Sequence, residues 1–214
     1  MLTLPFGDRP LRVLALGAHP DDIEIGCGGT MLRLAAEGRI AEARWVVLSG
    51  TPERAAEARR GADCFLAGIE RREVVLREFR DGFFPHAGPA LKEVFEELKG
   101  AFEPDVVFAP RREDLHQDHR AVAELAWQTF RDHAILEYEI AKYEGDLGSP
   151  NLYVTLPEET CRRKIELIQD TFRSQAARTW FTADTFWALL RLRGLESNAP
   201  SRYAEGFTAR KVVL

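Results

Sequence analysis

A chain of 214 residues, 45% hydrophobic and 29% charged, is long enough for one domain with a substantial core, and this composition excludes disorder, collagen-like repeats and membrane-spanning architecture. A formal net charge of -5 argues against a nonspecific nucleic-acid binder, which needs a basic face to displace counterions from phosphate. The three cysteines, Cys27, Cys64 and Cys161, are widely spaced with no C-x-x-C pair, so neither a disulfide framework nor a thiolate metal cluster is expected.

In chain order, the apolar run 11–16 reads as a buried parallel strand. The loop that follows holds Gly17-Ala18-His19-Pro20-Asp21-Asp22 and the glycines Gly26, Gly28 and Gly29, and a helix is expected from about Thr30 to Glu37, stopped by Gly38. A strand over 45–48, the turn Ser49-Gly50-Thr51-Pro52 and a helix over 53–66 come next, then a strand over 73–76, a helix over 89–102 and a strand over 105–109 ended by Pro110. Residues 121–130 are helical by pattern, 135–143 and 153–156 read as strands, and 157–172 opens like a helix with Pro157-Glu158-Glu159. The segment 180–192, rich in Trp, Phe and Leu, reads as a core or subunit-interface helix, which places a homo-oligomer among the expected assemblies.

Strands alternating with helices predict a Rossmann-like α/β fold: a doubly wound, mostly parallel sheet with helices on both faces, in one domain over 1–214. Residues from about 135 onward are expected to complete the substrate cleft and any subunit interface. In the strand order 3-2-1-4 the first and fourth strands are neighbours, and ligands bind beyond their carboxyl ends. The His19 loop follows the first strand. A second histidine cluster, Arg111-Arg112-Glu113-Asp114-Leu115-His116-Gln117-Asp118-His119-Arg120, follows the fourth. The fold therefore predicts that the two clusters meet.

Imidazoles and carboxylates are ligands for zinc, and Pro20 stiffens the first loop so that neighbouring side chains can converge. A catalytic zinc keeps three protein ligands and one open position. Of His19, Asp22, His116 and His119, we assign His19, Asp22 and His119 to the metal. Asp21 is then the general base on water, His116 donates to a developing oxyanion, and Asp118 holds the His116 tautomer. That set suits hydrolysis of an unactivated amide.

The segments Ala18-His19-Pro20-Asp21-Asp22, Gly26-Cys27-Gly28-Gly29-Thr30 and His116-Gln117-Asp118-His119-Arg120 closely resemble the PIG-L/LmbE-like family of zinc-dependent de-N-acetylases. The resemblance implies a Rossmann-like fold and removal of acetyl from N-acetylglucosamine conjugates. It also implies zinc on His19, Asp22 and His119, with Asp21 as base and His116 as oxyanion stabiliser. Arg54 with Glu57 resembles the family's Arg-x-x-Glu, which implies that Arg54 contacts substrate; Ser174-Gln175 and Tyr203-Ala204-Glu205-Gly206-Phe207 resemble its carboxy-terminal motifs. The chain departs from the pattern at Ile23-Glu24, where many members have Glu directly after the paired aspartates, and at Asp114, where some have Tyr.

The expected partner is an N-acetylated amino sugar or its conjugate, with no nucleic acid. Two other functions use the same crevice: an amidase for larger acyl groups, and a carbohydrate-binding module without turnover. The intact Asp21 and His116 argue against the latter, since binding requires neither. The three glycines do not form G-x-G-x-x-G and are read as points of close backbone approach; Cys27 is read as a small buried hydrophobe, His86 and His133 as solvated or satisfied, and Arg111 and Arg112 as a solvated rim. Residues 1–12 lack a basic segment followed by a long apolar stretch, and no apolar run approaches the roughly 20 residues that span a bilayer. A cytoplasmic protein with no membrane span is expected.

Overall fold

A computed structural model of the chain describes residues 9–211. Residues 1–8, most of the segment read above for a leader, lie outside the described residues, as do 212–214. Strands β1 (Leu11–Gly17), β2 (Ile40–Ser49), β3 (Arg72–Phe79), β4 (Val106–Pro110), β5 (Ala134–Tyr138), β6 (Leu152–Thr155) and β7 (Ala204–Ala209) form one seven-stranded sheet in the order β3-β2-β1-β4-β5-β7-β6. The first five are parallel; β7 runs antiparallel between β5 and β6. The helices are α1 (Asp22–Ala36), α2 (Pro52–Phe65), α3 (Gly88–Ala101), α4 (Gln117–Thr129), α5 (Glu158–Thr171) and α6 (Ala183–Glu196). This is the expected doubly wound α/β architecture.

Successive side chains of a strand point to opposite faces, and here both faces are buried. Val13 and Ala15 of β1 join Ile23, Trp45, Phe65, Tyr138 and Phe172 in one core, while Leu14 and Leu16 join Val46, Phe95, Val107 and Phe130 in the other. Parallel strands covered on both sides read as continuous apolar runs, which is why β1 and β4 are legible in the sequence. β1 pairs directly with β4, Val13 opposite Val106, so the loops after them open into one crevice at the switch point. Among the described residues no helix is long and apolar enough to cross a membrane.

Several boundaries differ from the sequence expectation, each for a physical reason. Helix α1 begins at Asp22, not near Thr30, so the glycine segment is helical and only 18–21 is loop. Every residue from Asp22 to Met31 is buried, and a helix covered all round shows no apolar stripe with a 3.6-residue period. Its glycines are points of close approach: a Cβ on Gly26 would lie 2.2 Å from the Tyr138 ring, and one on Gly28 would lie 2.5 Å from Phe65. Helix α4 starts four residues earlier than expected because the His116 side chain caps it, accepting from the Asp118 amide. The expected strand 135–143 stops at Tyr138. Strand β7, whose AEGFTA sequence carries little strand signal, forms because it docks between two edges and buries Glu205 and Phe207. The expected helix over 180–192 lies at Ala183–Glu196; it turns Phe186 and Leu190 into the core and leaves Leu192 and Leu195 exposed.

Candidate metal centre

The β1–α1 loop is short and closed on itself. The His19 amide donates to Asp22 Oδ2 at 2.8 Å, and Ser49 at the end of β2 donates its hydroxyl to the Ala18 carbonyl at 2.7 Å. Asp21, the residue before α1, adopts φ 95° and ψ -20°. A non-glycine residue in this left-handed region is strained, and such strain persists where surrounding contacts enforce it. Here the enforcing group is Arg54 in the first turn of α2. Its guanidinium pairs with Asp21 Oδ2 at 3.1 Å and donates to the Pro20 carbonyl.

The loop after β4 brings the second cluster alongside. His19 Nδ1 lies 3.2 Å from His119 Nε2, and Asp22 approaches them at 3.6 Å and 3.4 Å through its two oxygens. Separations of this size lie near the roughly 3.4 Å between neighbouring ligand atoms of a tetrahedral zinc with bonds of about 2.1 Å, although Asp22 offers a different oxygen to each ring. The opposite nitrogens of the same rings face carboxylates: His19 Nε2 meets Asp118 at 3.2 Å and Asp81 at 3.1 Å, and His119 Nδ1 meets Asp114 at 3.0 Å. Each ring thus faces carboxylates through both of its nitrogens, and the carboxylate behind it would hold the tautomer if a cation replaced the proton on the Asp22 side. Among the described residues, His19, His116 and His119, and likewise His19 with Asp81 and Asp118, bring ligand atoms close enough together to hold a metal ion, and Asp22 stands beside the first group, 3.6 Å from His19 and 3.4 Å from His119.

The His116 ring centroid lies 4.9 Å from that of His19 and 4.8 Å from that of His119. The Asp118 carboxylate does not hold it as expected. That carboxylate is fully buried, accepts from the amides of Gly82 and Phe84 at 2.6 and 3.1 Å, and turns to His19. What reaches His116 Nδ1 is the Asp118 backbone N–H, at 3.3 Å. Helix capping and tautomer selection are thereby one interaction: with Nδ1 accepting, neutral His116 carries its proton on Nε2.

Three site residues escape the sequence reading. Asp114 is noted there only as a departure from a pattern, yet it orients His119 and also accepts from Lys142 Nζ at 2.9 Å. Its spacing five residues before His119 is a signal only once a carboxylate behind the ligand is looked for. Asp81 reaches His19 from the loop after β3 with its side chain 76% exposed, and Lys142 comes from the loop after β5. Neither carries a local motif.

The charges explain one another. Burial alone disfavours the His19 and His119 cations, but Asp22, Asp114, Asp118 and Asp81 outweigh it, raising His19 well above the ordinary histidine value and His119 to about 9. Burial likewise works against ionised Asp22, and the two imidazoles reverse it, holding Asp22 well below the carboxylate range. The centre therefore favours positive charge. Asp21 goes the other way: burial pushes it up to about 7, against the pull of Arg54 and with the push of Asp22. His116 is lowered by burial and by its two neighbouring imidazoles, so it is neutral at pH 7. Cys27 is fully buried and burial raises its thiol well above the ordinary value, which suits a core residue rather than a nucleophile.

The centre lies in a cleft of about 710 Å³ whose lining includes Asp21, Arg54 and His116 together with Tyr143, Arg178 and Trp180. Glu57, one turn after Arg54, ties α2 to the segment next to lining residue Gln175: its carboxylate accepts from the Ser174 amide at 2.9 Å and the Ser174 hydroxyl at 2.6 Å.

A family model described as PIG-L, GlcNAc-PI de-N-acetylase, matches residues 14–130, more than half of the chain. The chain is also 65% identical over 26 residues to the uncharacterized deacetylase YaiS of Escherichia coli K12, a match spanning 12% of this chain and 14% of that protein. Among solved structures, the conserved protein TT1542 from Thermus thermophilus is 25% identical with a TM-score of 0.72, covering 95% of this chain and 96% of that one. The N,N'-diacetylchitobiose deacetylase from Pyrococcus horikoshii is 22% identical with a TM-score of 0.70, covering 93% and 83%, a likeness of fold. The matched residues 14–130 contain both histidine clusters and Arg54, while Tyr143, Gln175, Arg178 and Trp180 of the cleft lie beyond them.

Proposed function

Since the chain belongs to the PIG-L (GlcNAc-PI de-N-acetylase) family of deacetylases, we propose that it is a zinc-dependent hydrolase that removes the N-acetyl group from an N-acetylglucosamine-type sugar or its conjugate. The observation that carries this reading is the convergence of His19 Nδ1, His119 Nε2 and the Asp22 carboxylate at 3.2–3.6 Å, with a carboxylate behind each ring. His19, Asp22 and His119 would hold the metal. Zinc bound there supplies Lewis acidity, polarising an acyl oxygen and making water easier to deprotonate.

The remaining work falls to the chain's own groups. Asp21 takes the proton from the attacking water; Arg54 occupies its Oδ2, leaving Oδ1 for that proton. Burial raises this carboxyl above the ordinary carboxylate value, which strengthens it as a proton acceptor, and the same group can pass the proton on to the leaving amine. His116 donates from Nε2 to the oxygen on which negative charge develops. Arg54, placed at the cleft wall and on the Asp21 loop together, both contacts the sugar and orients the base. A cleft of about 710 Å³ is in the upper part of the range for small-molecule sites, roughly 300–1,000 Å³, which supports a substrate larger than a single sugar ring.

The test is metal analysis of the purified protein together with acetate release from a panel of N-acetylated sugars and conjugates. Stoichiometric zinc and acetate release that a chelator abolishes and zinc restores are expected. Release only of longer acyl groups would move the protein to the amidase reading, and absence of any bound divalent metal would overturn the proposal.

A further inference from the structure

Outside the cleft, one buried ion pair is attached to the backbone of the helix that carries Asp22. Lys164 of α5 and Glu205 of β7 are 4% and 3% exposed in their side chains and meet at 2.7 Å. Lys164 Nζ donates to the Ile25 carbonyl at 2.6 Å. Glu205 accepts from the Gly29 amide at 2.8 Å, the Thr30 amide at 2.7 Å and the Thr30 hydroxyl at 2.6 Å. In a regular α-helix the Ile25 carbonyl and the Gly29 amide are partners of one another. The ion pair thus spans one rung of α1, with ammonium on the carbonyl and carboxylate on the amide.

Such a pair is a poor device for stability alone. Desolvating two charges offsets much of their attraction, and apolar residues of similar volume often serve as well. It is a good device for geometry, because six hydrogen-bonding groups admit one placement of α1 along and about its axis. The approach is close: a Cβ on Gly29 would lie 2.5 Å from Leu156 and 2.9 Å from the Glu205 carboxylate. Ile25, whose carbonyl Lys164 holds, itself lines the active cleft, and Asp22 lies one turn before it on the same helix.

We propose that Lys164 and Glu205 are positioning residues that set the depth and rotation of α1 and thereby the convergence of Asp22 on His19 and His119. The inference rests on the metal reading above and adds to it a control point contributed by α5 and β7, both beyond the matched residues 14–130.

The experiment compares the full-length wild type with Glu205→Gln, with the apolar double variant Lys164→Met/Glu205→Leu, and with Leu98→Ala, which opens a cavity beneath the remote helix α3. Folding is read by circular dichroism and melting temperature, zinc affinity by competition with a chromogenic chelator, and ligand geometry by the visible spectrum of the cobalt-substituted protein. Zinc affinity in Glu205→Gln and in the double variant should weaken by about tenfold or more, the scale seen when ligand supports are lost, with an altered cobalt spectrum. Leu98→Ala should lower the melting temperature and leave both metal readouts at wild-type values. Unchanged affinity and spectrum in a folded Glu205→Gln protein would overturn the proposal, as would an equal loss of affinity in Leu98→Ala. Failure of the metal reading itself is distinguishable, because the wild type would then bind no zinc.

Discussion

Replacing Asp21 with Asn keeps the shape of the side chain and removes its basicity, and two opposite effects should follow. Asp21 is buried, and its carboxyl is pushed up to about 7 by that burial and by Asp22, net of the relief from Arg54. Ionising it in the folded protein therefore costs up to about 4 kcal/mol more than in the unfolded chain. Because the folded value is the raised one, the favourable contribution is fully present at low pH, below the ordinary carboxylate value. It is lost as pH rises through about 7. An asparagine side chain never ionises, so in metal-stripped protein the melting temperature of Asp21→Asn should exceed that of wild type by a margin that grows from pH 5 to pH 8. At roughly 2–4 °C per kcal/mol for a chain of this size, up to about 8–16 °C is expected at the upper end. Activity should move the other way: kcat falls by roughly 10²- to 10⁴-fold, the range for losing a general base, with zinc content unchanged. Differential scanning fluorimetry across pH and acetate-release kinetics on the zinc-loaded enzyme give both readouts. Wild-type kcat in Asp21→Asn would remove Asp21 from the chemistry, and a pH-independent difference in melting temperature would refute the electrostatic account of its burial.

Arg54→Ala takes away the cation that opposes the rise of Asp21, so the acidic limb of the kcat/KM profile should move to higher pH, as well as the substrate contact being weakened; an unmoved limb would separate Arg54 from the base. Asp114→Asn leaves all three proposed ligands in place but weakens the carboxylate behind His119, and should lower zinc affinity by about 10- to 100-fold, measured by chelator competition. Gly26→Ala should be destabilising even though Ala favours a helix by about 1 kcal/mol over Gly, because its Cβ would meet the Tyr138 ring at 2.2 Å and displace the hydroxyl that donates to the Leu16 carbonyl at 2.6 Å. A loss of about 1–3 kcal/mol from overpacking is expected in chemical denaturation, and a gain in stability would refute the packing argument.

The alternation of apolar runs with helical patterns determined the layered fold, since parallel strands buried on both faces read as near-continuous apolar runs, as β4 does throughout and β1 does apart from half-buried Arg12. Local spacing likewise determined the donor chemistry: His19 and Asp22 are three residues apart around Pro20, and His116 and His119 lie on one turn, so neither group needs long-range structure to be recognised. What only the tertiary structure decided is whatever depends on contacts between distant segments. It turned the Asp118 carboxylate to His19 and left the His116 tautomer to a backbone amide. It placed Asp114, Lys142 and Asp81 around the imidazoles, and it drew β7 between β5 and β6 so that Glu205 reaches α1. It also set where α1 begins, because a helix enclosed on every side has no polar face to impose a period on its sequence. A residue's type limits which partners it can accept, but which one it meets depends on the sheet order and on the side chains that close packing leaves room for.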